Sequence, residues 1–114
     1  MVNTDLYIPE RGDIVCLTFN PQAGHEQSGY RPAIVLSPAN YNKTVGLCLL
    51  CPITSKIKGY PFEVELPEDL SVHGAVLSDQ VKSLDWRARS ATFKCKAPKE
   101  ILENVINLIN TIIN

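Results

Sequence analysis

The sequence predicts a small α+β domain, mainly β: a strongly bent antiparallel sheet or partly open barrel, closed by one C-terminal helix. Three observations lead there. Short apolar or alternating runs recur between clusters of Gly, Pro, Asn and Asp, the pattern of many short strands. After Pro98 the apolar period changes from two residues to that of a helix. The chain has 114 residues and 45% hydrophobic composition, enough for one real core. Residues 1–114 therefore read as a single domain, with no repeat, linker or low-complexity tract.

Met1 to Arg11 form a lead-in, and Gly12-Asp13 is a turn signal. Ile14 to Phe19 is a strand with little polarity. Asn20-Pro21 opens a loop that runs through Gly29, a length that is often functional in a small domain. Arg31 to Ser37 is the second strand, with Pro32 at its start, where a missing N–H is tolerated. Ala39 to Lys43 makes a turn or a single helical turn. Val45 to Ile53 is apolar almost throughout, which makes it the central strand. Thr54 to Tyr60 is a polar loop holding two lysines and a glycine. Phe62 to Leu66 alternates apolar and acidic residues, so its acids face outward. Ala75 to Leu77, Val81 to Trp86 and Ala91 to Lys96 complete the strands. Pro98 at the first helical position and Glu100 in the first turn open the helix. Its wide stripe (Ile101, Leu102, Val105, Ile106, Leu108, Ile109, Ile112, Ile113) covers the sheet or, alternatively, makes a dimer contact.

No segment is long and apolar enough to cross a membrane. The first thirteen residues lack the apolar core of a signal peptide. A cytoplasmic protein with reduced cysteines is expected. Cys48 and Cys51 form a CxxC, but no second ligand pair exists at matching spacing, and residues three apart on a strand face opposite ways. All four cysteines read as structural, with no metal and no cofactor. The formal net charge is −1, which argues against a generic nucleic-acid binder. The charges are segregated, however. Lys82 to Lys99 holds six basic residues and one acid, whereas Glu63 to Asp79 holds five acids and no Lys or Arg. A polyanion would meet a local positive field there, unless the run is ordinary solvated surface.

The stretch Gly24 to Pro38 places His25, Glu26 and Arg31 in a polar loop feeding an apolar strand. No GxSxG, HExxH or Walker motif accompanies it. Metal-free RNA cleavage asks for less. The substrate's own 2′-OH is the nucleophile, so the site must take its proton, protonate the leaving 5′-oxygen and stabilise charge on the phosphate; a carboxylate or imidazole can do the first and an Arg the last, unless the loop Glu and Arg are only solvated charges. Glu26 and Arg31 are five residues apart across Gly29.

The strings Glu26-Gln27-Ser28-Gly29-Tyr30-Arg31-Pro32-Ala33-Ile34-Val35-Leu36-Ser37, Lys58-Gly59-Tyr60-Pro61-Phe62-Glu63-Val64 and Asp79-Gln80-Val81-Lys82-Ser83-Leu84-Asp85-Trp86-Arg87-Ala88-Arg89 resemble the MazF/PemK family of toxin endoribonucleases, its MazF branch most. The match runs through essentially the whole chain. It implies an SH3-like, CcdB/PemK-like barrel and a homodimer. It also implies metal-independent cutting of single-stranded RNA at short, ACA-like sites, leaving a 2′,3′-cyclic phosphate, and inhibition by a MazE-like antitoxin. By the same resemblance Glu26, Arg31 and Thr54 are catalytic.

Beside these, Lys56, Lys58 and Lys82 are candidate backbone contacts and Gln80 a base-edge reader. Gln27 is a further RNA contact, and Tyr30, Tyr60 and Trp86 are candidate stacking platforms. His25 either shares the base role or is a plain loop imidazole. Trp86, Arg87 and Arg89 are expected at the antitoxin or dimer interface, Trp86 on the surface and not in the core, because WRAR is half polar. The rival function is a CcdB-like toxin that binds gyrase and cuts no RNA; a plain SH3-like interaction domain is the third.

Overall fold

The computed structural model describes residues 6–20 and 29–114. Among these, seven strands and two helices follow in the order β1 (Asp13–Thr18), β2 (Tyr30–Val35), α1 (Ala39–Val45), β3 (Cys48–Thr54), β4 (Glu63–Glu65), β5 (Ala75–Leu77), β6 (Lys82–Leu84), β7 (Thr92–Lys96) and α2 (Lys99–Ile113). The strands make one antiparallel sheet, in the order β4-β5-β3-β2-β1-β7, with β6 also on β3. The path has two ends, so the sheet is open and bent. A register shift between Ile14 and Val15, where β1 meets β7, adds to the bend.

β3 is central, as its unbroken apolar run predicts. One side pairs with β2 through Leu50, Cys51 and Pro52. The other side pairs first with β6 through Cys48–Leu50, then with β5 through Ile53 and Thr54. Pro52, which cannot donate to a ladder, lies at that change of partner.

The near-continuous hydrophobicity of β1 to β3 has a simple cause: both faces are buried. Ile14, Ile34, Cys51, Ile53, Val64 and Val76 pack with Ile101 and Val105 of α2 on one face. Val15, Leu17, Ala33, Val35, Cys48 and Leu50 pack with Phe19 and Trp86 on the other. Alternation thus sends the thiols of the CxxC into separate cores. Burial pushes the Cys48 and Cys51 thiols up to about 12.

Several boundaries differ from the sequence reading. The turn at Ala39 is a two-turn helix reaching Val45, stopped by Gly46 in the left-handed region at φ 84°. Val45 therefore belongs to the helix, and β3 begins at Cys48. Pro98 caps α2 from outside, its ψ of 144° being extended, and Lys99 is the first helical residue. The helix covers a sheet face as expected, and its last turn, with Ile112 and Ile113, is exposed.

Trp86 is a correction. It is 2% exposed and sits in the second core, where its indole N–H donates to the Asn42 carbonyl at 2.9 Å. It is neither a surface contact nor a stacking platform. The polar residues around it belong to a tight turn, in which Asp85 Oδ1 accepts the Ala88 amide at 2.9 Å and the Arg87 guanidinium lies 5.2 Å over the indole ring. Asn42, fully buried, ties this region together. Its side-chain amide donates to the carbonyls of Pro9 (2.8 Å) and Ser37 (3.0 Å), and its Oδ1 accepts the Ser37 hydroxyl at 2.6 Å.

Candidate functional site

The β2–β3 register places Ala33 against Pro52. The paired residues end there; carried two residues further, the same register would bring Arg31 level with Thr54. Arg31 follows Ala33 and Val35 by alternation, and Thr54 follows Leu50 and Pro52, so both belong to the second-core face at the rim of the sheet.

Thr54 is buried, 7% exposed. Its Oγ1 accepts the Lys56 amide at 3.1 Å, which leaves the hydroxyl hydrogen available to donate. On its far side Thr54 pairs with Ala75 of β5. The residue before, Gly74, has φ +128°, and a Cβ there would lie 2.1 Å from the Thr54 carbonyl oxygen. Only glycine lets the backbones approach this closely. In the sequence the available signal was a glycine directly before the apolar run Ala75 to Leu77.

Glu26, His25 and Gln27 lie outside the described residues. The stem that carries their segment is well defined. Phe19 N–H donates to Gly29 O at 2.8 Å, and Asn20 Oδ1 accepts the Gly29 amide at 3.0 Å. Arg89 braces the same stem: its Nη1 donates to the carbonyls of Thr18 and Asn20, both at 2.9 Å, and its own carbonyl accepts Thr18 N–H at 3.0 Å. Asn20 and Gly29, the described residues on either side of positions 21–28, are therefore hydrogen-bonded neighbours, and Gly29 lies two residues before Arg31.

The other candidates are dispersed. Lys56 and Lys58 are exposed on the loop after Thr54. Tyr60 is exposed on the same loop and donates its hydroxyl to Asp79 Oδ2 at 2.6 Å, a bond that raises the phenol above its ordinary range. Gln80 is half-buried with its Oε1 enclosed and unpaired among the described residues. Lys82 stands on β6 opposite Leu50, four residues along β3 from Thr54. Tyr30 is 53% exposed, but by alternation it faces away from Arg31, and its hydroxyl shares a 2.7 Å hydrogen bond with Thr92 Oγ1. Several cations of the basic run are engaged within the fold. Arg89 is engaged with carbonyls, Arg87 with the Trp86 ring, and Lys96 with Asp13 at 2.6 Å. Among the described residues no three His, Cys, Asp or Glu side chains converge as metal ligands.

Chemically, the described residues here offer the Arg31 cation near the start of β2 and a buried Thr54 hydroxyl at the end of β3. Residues 10–113 match the family described as PemK-like, MazF-like toxin of type II toxin–antitoxin system. The chain is 48% identical over 107 residues to the endoribonuclease toxin MazF of Escherichia coli K12, covering 94% of this chain and 96% of the relative. It is 37% identical to the endoribonuclease toxin ChpB of the same organism, covering 91% and 93%. The crystal structure of MazF from Deinococcus radiodurans superposes with a TM-score of 0.91 at 52% identity, covering 94% and 97% of the two chains. A MazE–MazF crystal structure from that organism superposes with a TM-score of 0.86 at 50% identity, covering 94% and 97%.

Proposed function

The chain belongs to the PemK-like, MazF-like toxin family of type II toxin–antitoxin systems, and from that premise we propose that it is a metal-independent endoribonuclease cutting single-stranded RNA at short sites. The observation that carries this reading is the antiparallel β2–β3 pairing, whose register carries Arg31 toward Thr54 beside the Phe19–Gly29 hydrogen bond. Endoribonuclease relatives of nearly the same length support it.

In the reaction the 2′-oxygen attacks the adjacent phosphorus and the bond to the 5′-oxygen breaks. The products are a 2′,3′-cyclic phosphate and a 5′-hydroxyl. Glu26 accepts the 2′-OH proton. Arg31 neutralises charge building on the phosphorane-like oxygens; it is no simple general acid, because guanidinium holds its proton too tightly. The leaving oxygen takes its proton from solvent. Thr54, whose oxygen already accepts the Lys56 amide, donates its hydroxyl to the scissile phosphate. Lys56 and Lys58 extend the contact along the backbone. His25 and Gln27 flank the base, Gln80 reads a base edge, Lys82 adds a backbone contact, and Tyr30 and Tyr60 stack on bases. Cutting of mRNA at ACA-like sites would stop translation and growth.

The active form is a cytoplasmic homodimer held in check by a MazE-like antitoxin, with Arg87 and Arg89 at the protein interface. Superposition on MazF within a MazE–MazF complex supports such a partner. Short single-stranded RNA incubated with the protein in EDTA tests the proposal. Cleavage with cyclic-phosphate ends is expected, and it should vanish in folded Glu26→Ala and Arg31→Ala proteins. Full activity in both variants refutes the residue roles; intact RNA with blocked gyrase favours a CcdB-like toxin instead.

A further inference from the structure

Two acidic side chains stand at the loop that carries Lys56 and Lys58. Glu63, the half-buried first residue of β4, turns its carboxylate back into that loop. Its Oε1 accepts the amides of Lys58 (3.2 Å) and Gly59 (3.0 Å), and its Oε2 lies 3.2 Å from the Lys58 nitrogen. The Glu63 amide in turn donates to the Tyr60 carbonyl at 3.0 Å. The loop is thus wound around one carboxylate, with Gly59 at φ +76° making the bend. Asp79 holds the next residue, accepting the Tyr60 hydroxyl at 2.6 Å, while Ser78 N–H donates to Phe62 O at 3.0 Å and ties the two segments together. At its other end the loop is fastened to Thr54 by the Lys56 amide.

A carboxylate close to a polyanion site opposes binding through space. Charge-assisted bonds from a carboxylate to backbone amides, however, fix a loop firmly. We propose that Glu63, with Asp79 as a second anchor through Tyr60, is a positioning residue for RNA: it holds residues 56–60 in the shape that presents Lys56 and Lys58 to the backbone phosphates beside Thr54. This role rests on the ribonuclease reading above. It makes the sign of the effect diagnostic. Removing a negative charge tightens RNA binding if electrostatics alone acts. It weakens binding if the carboxylate works by shaping the loop, because the lysines then pay an ordering cost on each encounter.

The test is steady-state cleavage of a short single-stranded RNA by Glu63→Ala, Glu63→Gln and Tyr60→Phe proteins, with amide hydrogen exchange at Lys58 and Gly59. Expected for Glu63→Ala are a KM raised on the order of tenfold, the scale of one or two lost lysine–phosphate contacts, a kcat changed far less, and loss of protection at both amides. Glu63→Gln keeps an acceptor oxygen and restores most of the KM. Tyr60→Phe keeps the ring, cannot unfold the domain by truncation, and raises KM by a smaller factor. An unchanged or lowered KM in Glu63→Ala overturns the role, as does a Gln variant no better than Ala. Should Glu63→Ala not fold, an unchanged KM in Tyr60→Phe overturns it. A wild-type protein that leaves RNA intact overturns the ribonuclease reading and this role with it, whereas normal wild-type cleavage with an indifferent Glu63→Ala overturns this role alone.

Discussion

Gly74→Ala is the sharpest single perturbation of the site that leaves its chemistry untouched. The added Cβ would meet the Thr54 carbonyl oxygen at 2.1 Å, the Thr54 carbonyl carbon at 2.9 Å and the Ser55 Cα at 3.3 Å. All three are backbone atoms, so no rotamer change relieves the contact. β3 and β5 must part by roughly 1 Å to restore van der Waals distance. The residue must also hold a φ of +128°, which side chains rarely adopt. Backbone strain costs about 1–3 kcal/mol and overpacking another 1–3 kcal/mol, so about 2–6 kcal/mol of stability should go. With a total near the middle of the usual range of about 5–15 kcal/mol the variant still folds, with its melting temperature lowered by on the order of 10–20 °C. Thr54 shifts with its strand, and if its hydroxyl holds the scissile phosphate as proposed, a displacement near 1 Å can cost up to about 10²-fold in rate. Urea denaturation measures the first effect; RNA cleavage at 25 °C, with the fold checked by circular dichroism, measures the second. A variant within about 0.5 kcal/mol of wild type, cutting RNA at full rate, would refute the reasoning.

Other expectations follow from the core. Asn42→Ala strands the Ser37 hydroxyl and the Pro9 and Ser37 carbonyls, and should cost about 2–4 kcal/mol in urea denaturation. Stability should fall steeply with alkaline pH. Burial raises the Cys48 and Cys51 thiols from 9.0 to about 12. The native chain then binds more protons than the unfolded one through that window. The stability these thiols contribute is complete below pH 9 and is lost as pH rises toward 12. Urea midpoints measured across pH 8 to 11 should show this fall, with a shallower slope in a Cys48→Ala, Cys51→Ala protein.

Much of the fold was legible because local pattern carries it. Apolar runs broken by Gly and Pro mark the strands in order, and the stripe after Pro98 marks α2 because a one-sided helix must bury that side. The CxxC was readable as structural because strand alternation alone separates its thiols. Boundaries were harder. Val45 has the β-branched character of a strand residue, yet it ends α1 because Gly46 terminates the helix after it. Trp86 was misjudged because its polar neighbours suggested surface. Their polarity serves a tight turn, and the indole reaches inward to a carbonyl 44 residues away in sequence. Arg89 reads as a surface cation in WRAR, and nothing local reveals that its guanidinium holds the carbonyls of Thr18 and Asn20, some seventy residues earlier.

The sequence by itself determined the strand and helix order, the buried character of β3, the family resemblance, and the candidates for RNA chemistry: Glu26 and Arg31 from residue type, Thr54 from the resemblance. Only the tertiary structure decided that β2 and β3 pair in the register that carries Arg31 toward Thr54, that Gly74 is the spacer behind Thr54, and that Glu63 points into the lysine loop. The physical reason is one of range. Periodicity and turn chemistry are properties of neighbouring residues. Register across a sheet and the reach of a side chain to a distant amide are settled only when two cores close on β3 from both faces.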